Sequence, residues 1–207
     1  MTLIIGWVNP NFIAVVSDGK SICKNANGDI IPGGDENTSK IHELTDDIVF
    51  ANGGGVDLGE KIIQTIKPQL VEPNRNDPIL FKALEKAIPF FARAFLQDFK
   101  RRGMYAPDQQ HALFLFGWDA HAKRLRGVAW EASGDFAPTE VSSVVIDGWE
   151  EAKQFADKRL DEAIANLRGF SGPTVLALLE GVIRDTGVAF PERVNTTTFG
   201  KLIGGKL

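Results

Sequence analysis

The sequence predicts an α+β fold in which two antiparallel sheets stack on each other and a pair of helices covers each sheet. This is a four-layer αββα sandwich. Strand-like runs and helical periodicities occur in blocks along the chain, which is typical of antiparallel sheets and not of alternating β-α units. The runs at residues 3–5 and 12–16 are apolar at successive positions, so both faces of these strands are expected to be covered.

The predicted elements follow from apolar periodicity and from turn residues. We expect strands at 2–8, 12–17, 40–44 and 48–52, helices at 57–70 and 78–102, strands at 112–118, 124–131 and 141–146, helices at 149–167 and 173–187, and a last strand at 196–203. The turn sequence Asn9-Pro10-Asn11 should join the first two strands into a hairpin. Pro89 lies inside the second helix, where it predicts a kink.

Length and composition restrict the class of protein. The chain has 207 residues, of which 43% are hydrophobic, and this predicts one domain spanning residues 1–207. The formal charge is −4 with acids and bases interspersed, which argues against nucleic-acid binding. The lone Cys23 fits a reducing cytoplasm. The sequence has neither a signal-peptide pattern nor an apolar run of transmembrane length, so we expect a soluble cytoplasmic protein with no membrane partner.

The residue behind the initiator Met1 is Thr2, which is small enough for methionine aminopeptidase to remove Met1. An N-terminal threonine carries a hydroxyl nucleophile and a free α-amine, which can act as the general base for that hydroxyl. The predicted hairpin would bring Thr2 beside Asp18 at the end of the second strand. These two residues are therefore candidates for a catalytic site.

A run of glycines follows the predicted strand 48–52 and precedes the helix 57–70. Glycines at such a junction let backbone N–H groups approach a ligand, as an oxyanion hole requires. The run Gly53-Gly54-Gly55 lacks the Lys-Ser/Thr that follows the glycines of a phosphate loop. The three histidines lie far apart without metal-ligand spacing, so no metal or organic cofactor is expected.

Together these residues resemble the β-type subunits of the proteasome and their bacterial ring-shaped relative, within the N-terminal nucleophile hydrolase superfamily. Thr2, Asp18, Lys40 and the Asn52-Gly53 pair fall on the family's N-terminal Thr, strand-end Asp, Lys and Ala-Gly. The resemblance implies a threonine-type endopeptidase of the same αββα fold, acting on peptides or unfolded proteins. It also implies a homo-oligomeric ring, which in many members works with an ATP-dependent unfoldase.

The resemblance also implies a role for each residue. Thr2 Oγ attacks the scissile carbonyl and the α-amine of Thr2 takes up the proton. Lys40 keeps that amine neutral, Asp18 pairs with Lys40, and the Gly53 N–H stabilises the oxyanion.

The chain departs from the family pattern in several places. The segment 19–39 is longer than in typical subunits, and no serine near Asp147 matches the family's supporting serine. Asp185 could supply the family's late acid, but no serine follows it at the family's spacing. Two other functions stay open. One is a ring subunit without catalysis, and the other is a peptide ligase or transpeptidase in which an amine resolves the acyl-enzyme.

Overall fold

A computed structural model describes residues 3–21, 23–24, 30–31, 34–54, 56–70, 77–103 and 110–204. Met1, Thr2 and Gly55 therefore lie outside the described residues. Cys23 is described by its backbone alone.

Two large antiparallel sheets and four α-helices form the body of the described fold, as the sequence predicts. The strands are β1 (Ile4–Val8), β2 (Phe12–Asp18), β3 (Cys23–Lys24), β4 (Ile30–Ile31), β5 (Ile41–Thr45), β6 (Ile48–Gly54), β7 (His111–Asp119), β8 (Arg124–Glu131), β9 (Thr139–Val141), β10 (Val144–Asp147) and β11 (Thr198–Gly204). The helices are α1 (Val56–Ile66), α2 (Leu80–Arg101), α3 (Glu150–Ala165) and α4 (Gly172–Ala189). None of the described helices has the length and apolarity that crossing a membrane requires.

The first sheet has the strand order β10-β1-β2-β11, and the second has the order β5-β6-β7-β8-β9. The predicted hairpin is confirmed, because β1 pairs with β2, and β5 and β6 form a second antiparallel pair. In the first sheet Ile4 lies opposite Ser17 on one side and opposite Asp147 on the other. This register brings the start of β1, the end of β2 and the end of β10 to one edge of the molecule.

Three apolar layers separate the sheets and helices. One layer lies between the two sheets and includes Ile4, Ile13, Ala51 and Phe114. A second joins the first sheet to α3 and α4, and a third joins the second sheet to α1 and α2. Alternate residues of each strand thus enter different layers. Successive apolar positions in β1 and β2 are buried for this reason.

Helix α2 is amphipathic, and its buried residues recur at spacings of three and four, as in Phe81, Leu84 and Ile88. Pro89 lies inside this helix, which runs without interruption from Leu80 to Arg101. Helix α4 begins with Pro at its first turn, and the Ser171 side chain caps it by accepting a hydrogen bond from the Thr174 N–H.

The structure departs from the predicted elements in three main places. The single strand expected at 141–146 is two strands, since β9 pairs with β8 in the second sheet and β10 pairs with β1 in the first. The exposed residues 142–143 connect them, so the apolar run serves two sheets. Helix α1 ends at Ile66, and a 3-10 turn at Lys67–Gln69 that contains Pro68 follows it. The short hairpin of β3 and β4 was not predicted.

Candidate active site

A buried ion pair connects the two sheets at this edge. Asp18 ends β2, Lys40 immediately precedes β5, and both side chains are fully buried. The Lys40 Nζ lies 3.0 Å from Asp18 Oδ1 and 3.3 Å from the Asp18 backbone oxygen, and it also donates to the Lys20 carbonyl. A buried ammonium is costly unless its protons are all bonded, and these three acceptors satisfy them.

The Asp18 carboxylate also binds the start of β1. Its Oδ1 accepts a hydrogen bond of 2.9 Å from the Leu3 N–H, and its Oδ2 accepts one of 3.0 Å from the Lys20 N–H. The Asp18 N–H in turn donates to the Leu3 carbonyl at 3.0 Å. Leu3 directly follows Thr2 in the sequence, so Asp18 is bonded to the residue next to the predicted nucleophile, and Lys40 is bonded in turn to Asp18.

Burial changes the proton affinity of Lys40. Desolvation lowers the pKa of the Lys40 ammonium below its usual 10.5, and the facing Asp18 carboxylate opposes this effect. The net direction is downward because burial is the larger of the two causes. Lys40 is therefore a cation held in place at an energetic cost, which is common in functional sites and uncommon elsewhere.

The end of β6, where Gly53 and Gly54 lie, is joined to the backbone of Lys40. The Asn52 N–H donates to the Lys40 carbonyl at 3.1 Å, so it points toward β5. Alternation along the strand directs the N–H and C=O of Gly53 toward β7, where Gly53 lies opposite Ala112. In a trans peptide the next N–H opposes that C=O, so the Gly54 N–H points back to the Lys40 side. Gly54 has a φ of 82°, which favours glycine.

The Asn52 side chain does not face this edge. Its Oδ1 lies 3.1 Å from His42 Nε2, and a Cβ added to Gly59 of α1 would lie 2.2 Å from Asn52 Cγ. Asn52 therefore supports the packing of α1 against β6, and Gly59 is required there for close approach. The predicted Asn52-Gly53 pair thus divides into a structural side chain and a backbone at the candidate site.

The space beside Gly53 is filled by a carboxylate that the sequence analysis did not assign. A Cβ added to Gly53 would lie 1.8 Å from Asp147 Oδ2, so the end of β10 reaches across to β6. Asp147 lies opposite Ile4, and cross-strand partners share a face of the sheet. Because Ile4 belongs to the layer between the sheets, Asp147 faces that layer too.

Asp147 holds its proton more tightly than an ordinary aspartate does. Burial raises the pKa of this carboxyl from 3.8 to about 6, with a further contribution from Glu131, whereas Lys153 and the Gly148 N–H lower it. The side chain is half-buried and ends at the edge of the sheets. It therefore titrates close to neutral pH at the same edge as Asp18 and Lys40.

Two further groups near this edge were missed by the sequence analysis. Ser17 is fully buried opposite Ile4, and its Oγ has no hydrogen-bond partner among the described residues. His111 is buried opposite Gly54, and burial lowers the pKa of its imidazole to about 4. Only the register of the sheets identifies them, because neither stands in a recognisable motif.

Other candidates lie elsewhere. Asp185 is on α4, where it binds Arg159 of α3 at an exposed position, so it joins two helices. A groove of about 300 Å³ lies on the outer side of β10 and is lined in part by Val144, Glu150 and Lys153. No three His, Cys, Asp or Glu side chains in the described ranges are grouped as metal ligands.

The comparisons with known proteins agree with this architecture. The crystal structure of eukaryotic HslV from Trypanosoma brucei matches 98% of this chain and 99% of its own, with a TM-score of 0.59 and 13% sequence identity. The chain therefore shares the fold of HslV, with two stacked antiparallel sheets between pairs of helices. At 13% identity the likeness establishes the fold and leaves the activity open. No protein-family model matches the chain, and no curated protein matches it by sequence.

Proposed function

We propose that this protein is a threonine-type endopeptidase, built as a single domain, whose nucleophile is Thr2 after removal of Met1. The observation that carries the proposal is the fully buried pair of Asp18 and Lys40, in which the Asp18 carboxylate binds the amide of Leu3 at 2.9 Å. A structural subunit gains little from two buried charges at this place, because apolar residues of similar volume are often as stable. HslV is a proteasome-like threonine peptidase, and the fold that this chain shares with it supports the same assignment.

In the proposed reaction Thr2 Oγ bonds to the scissile carbonyl carbon, and the hydroxyl proton passes to the Thr2 α-amine. The resulting ammonium gives a proton to the leaving amine as the C–N bond breaks. Water, activated by the same amine, then hydrolyses the acyl ester. No oxidant, metal or cofactor enters this sequence of steps.

Lys40 acts on this chemistry through its charge. A free α-amine has an ordinary pKa of about 7.7–8.0, already close to neutral pH. A nearby ammonium disfavours a second positive charge and so lowers the pKa of that amine. Lys40, fixed by three acceptors on Asp18 and Lys20, would keep the amine of Thr2 in its basic form.

We propose that the N–H of Gly54, which belongs to the peptide between Gly53 and Gly54, stabilises the oxyanion. The resemblance predicts the N–H of Gly53 for this role. The strand geometry favours the N–H of Gly54 because it lies on the Lys40 side of β6. Losing one donor of this kind costs roughly 2.7–4 kcal/mol in transition-state stabilisation. We also propose that the chain forms a ring of identical subunits in the cytoplasm and that an unfoldase delivers substrates to it.

Two variants of Thr2 test the proposal. Thr2→Ser keeps a hydroxyl and a residue that permits removal of Met1, whereas Thr2→Ala keeps only the second property. We expect cleavage of an unstructured peptide library by wild type and by Thr2→Ser, and none by Thr2→Ala, with all three chains folded by circular dichroism. Equal cleavage by Thr2→Ala and wild type would refute Thr2 as the nucleophile.

The same assay separates the remaining functions. Adding a second peptide with a free amine would give a joined product of higher mass if the acyl-enzyme is resolved by amines, as in a ligase. A complete lack of cleavage and of joined product from wild type with Met1 removed would indicate a silent ring subunit.

A further inference from the structure

We propose that Asn195 is a positioning residue for Lys40, because it holds in place the segment 18–20 and the Glu36 carboxylate. Asn195 lies in the connection between α4 and β11, at residues 190–197. The inference rests on the proposed function, in which the charge of Lys40 keeps the general base neutral. The resemblance assigns no role to Asn195.

The segment 18–20, at the end of β2, supplies the contacts of the Lys40 ammonium. Two of the three acceptors of this ammonium are backbone carbonyls, those of Asp18 at 3.3 Å and of Lys20. The Lys20 N–H also donates to Asp18 Oδ2 at 3.0 Å, which folds the segment back onto its own carboxylate. The ammonium therefore keeps its place only as long as residues 18–20 keep their conformation.

Asn195 binds the middle of this segment. Its Oδ1 accepts a hydrogen bond of 2.9 Å from the Gly19 N–H, which also donates to the Thr197 carbonyl at 3.0 Å. A Cβ added to Gly19 would lie 2.7 Å from the Glu36 carbonyl oxygen, so glycine is required for this close approach. Asn195 thus lies where the end of β2, the chain before β5 and the α4–β11 connection meet.

The same side chain holds Glu36 from its other end. Asn195 Nδ2 donates to the Glu36 backbone oxygen at 2.7 Å and to Glu36 Oε2 at 2.9 Å, while Lys20 Nζ lies 3.4 Å from Glu36 Oε1. The Glu36 side chain is 61% exposed, and an exposed side chain of this length otherwise samples many rotamers. Burial lowers the pKa of the Lys40 ammonium, whereas the charges of Asp18 and Glu36 raise it. Asn195 therefore keeps one of the two carboxylates that favour the charged form of Lys40 in range.

The α4–β11 connection is itself anchored to the fold. The Lys20 ammonium donates to the Pro191 carbonyl at 2.6 Å, and the Arg193 guanidinium lies 5.0 Å from the centre of the Trp149 ring at the start of α3. A Cβ added to Gly187 of α4 would lie 2.6 Å from the Asn195 carbonyl, so the connection packs closely on this helix. A side chain on a backbone fixed at several points can position its partners.

Asn195 acts on Lys40 through its neighbours and donates no hydrogen bond to it. Without Asn195, the Gly19 N–H retains the Thr197 carbonyl as an acceptor, but the Glu36 carboxylate is released to solvent. The Lys40 ammonium then loses part of the negative charge that opposes its burial. We expect the loss to slow the chemical step and to leave substrate binding unchanged.

The first experiment measures the pKa of the Lys40 ammonium by NMR titration of the full-length protein labelled with ¹³C-lysine, with Lys40→Arg assigning the signal. We expect a lower pKa in Asn195→Ala and an equally lowered one in Glu36→Gln, with no further change in the double variant, because both changes remove the Glu36 contribution. The exposed Asn37→Ala, beside Glu36, should leave the pKa unchanged. The wild-type pKa in either Asn195→Ala or Glu36→Gln would overturn the inference. Glu36→Gln keeps the backbone contacts, so it decides the matter if Asn195→Ala does not fold.

The second experiment measures peptide cleavage. Asn195→Ala and Glu36→Gln should each lower kcat by about 3- to 10-fold, the value of one hydrogen bond, with KM unchanged. A raised KM with an unchanged kcat in Asn195→Ala would show that Asn195 binds substrate, and would overturn the positioning role. Absence of cleavage by wild type would instead refute the proposed function, while the Lys40 titration would still decide whether Asn195 acts on Lys40.

Discussion

Replacing Asp147 by Asn should make the protein more stable at neutral pH. The folded state raises the pKa of this carboxyl from 3.8 to about 6, so between these values the folded chain binds more protons than the unfolded chain. The free energy of unfolding must then fall as the pH rises through this window. The cost is complete above about pH 6 and absent below about pH 3.8.

The size of the effect follows from the shift. One pKa unit corresponds to about 1.4 kcal/mol, so the rise to about 6 represents up to about 3 kcal/mol of destabilisation at pH 7.5. Asn keeps the shape of the side chain and carries no charge. In a domain of this length, about 3 kcal/mol corresponds to an increase in Tm of about 6–12 °C.

The assay is urea denaturation of Asp147→Asn at pH 7.5 and pH 4, in the Thr2→Ala background and at equal protein concentration, since assembly adds to apparent stability. The exposed Asp157→Asn serves as the matched control and should change stability by less than about 0.5 kcal/mol. No gain at pH 7.5, or the same gain at pH 4 as at pH 7.5, would refute the view that Asp147 is a charge held in the site at a cost.

Three further predictions concern neighbouring groups. Lys40→Met should lower the free energy of unfolding by about 3–5 kcal/mol in urea, because Asp18 is left buried without its cation; a loss below 1 kcal/mol would contradict this. Gly53→Ala should lower the free energy of unfolding by about 1–3 kcal/mol, since the added Cβ displaces the Asp147 carboxyl. The pKa of Asp147 should then return toward its usual range in a ¹³C NMR titration. The control Gly134→Ala has open space around the added Cβ and should leave the stability unchanged. The pKa of His111 is lowered to about 4, so at intermediate pH the folded chain binds fewer protons than the unfolded chain. The free energy of unfolding should therefore fall as the pH drops from 6.5 toward 4. His111→Gln should remove up to about 3 kcal/mol of that dependence. An unchanged pH dependence in His111→Gln would exclude His111 as its source.

Local patterns in the sequence were sufficient to predict the layers of the fold. The turn Asn9-Pro10-Asn11 and the apolar runs on either side predict the first hairpin, and the structure pairs Ile4 with Ser17 as that hairpin requires. The boundary between β9 and β10 was missed because each strand is short and their joint apolar run does not indicate that it serves two sheets. Only the long-range partners of a strand separate such cases.

The candidate site was predictable where a residue stands at a recognisable strand end, and not where only the stacking of the sheets brings residues together. Asp18 and Lys40 stand at strand ends, and the structure brings them within 3.0 Å. Asp147 appeared in the sequence only as a place without the expected serine, because its approach to Gly53 depends on the stacking of β10 over β6. The direction of the N–H groups of Gly53 and Gly54 likewise depends on the pairing of β6 with its neighbours.

The central claim is that Thr2 is a working N-terminal nucleophile, and the intact mass of the purified protein tests it most directly. The mass is recorded before and after treatment with a peptide epoxyketone, a reagent that needs a hydroxyl and a free α-amine on the same terminal residue. The account predicts loss of Met1 and one adduct per chain, with none on Thr2→Ala, and a small unselective acylating probe should label the same residue. Retained Met1, or a chain that begins at Thr2 and reacts with neither reagent, would contradict it.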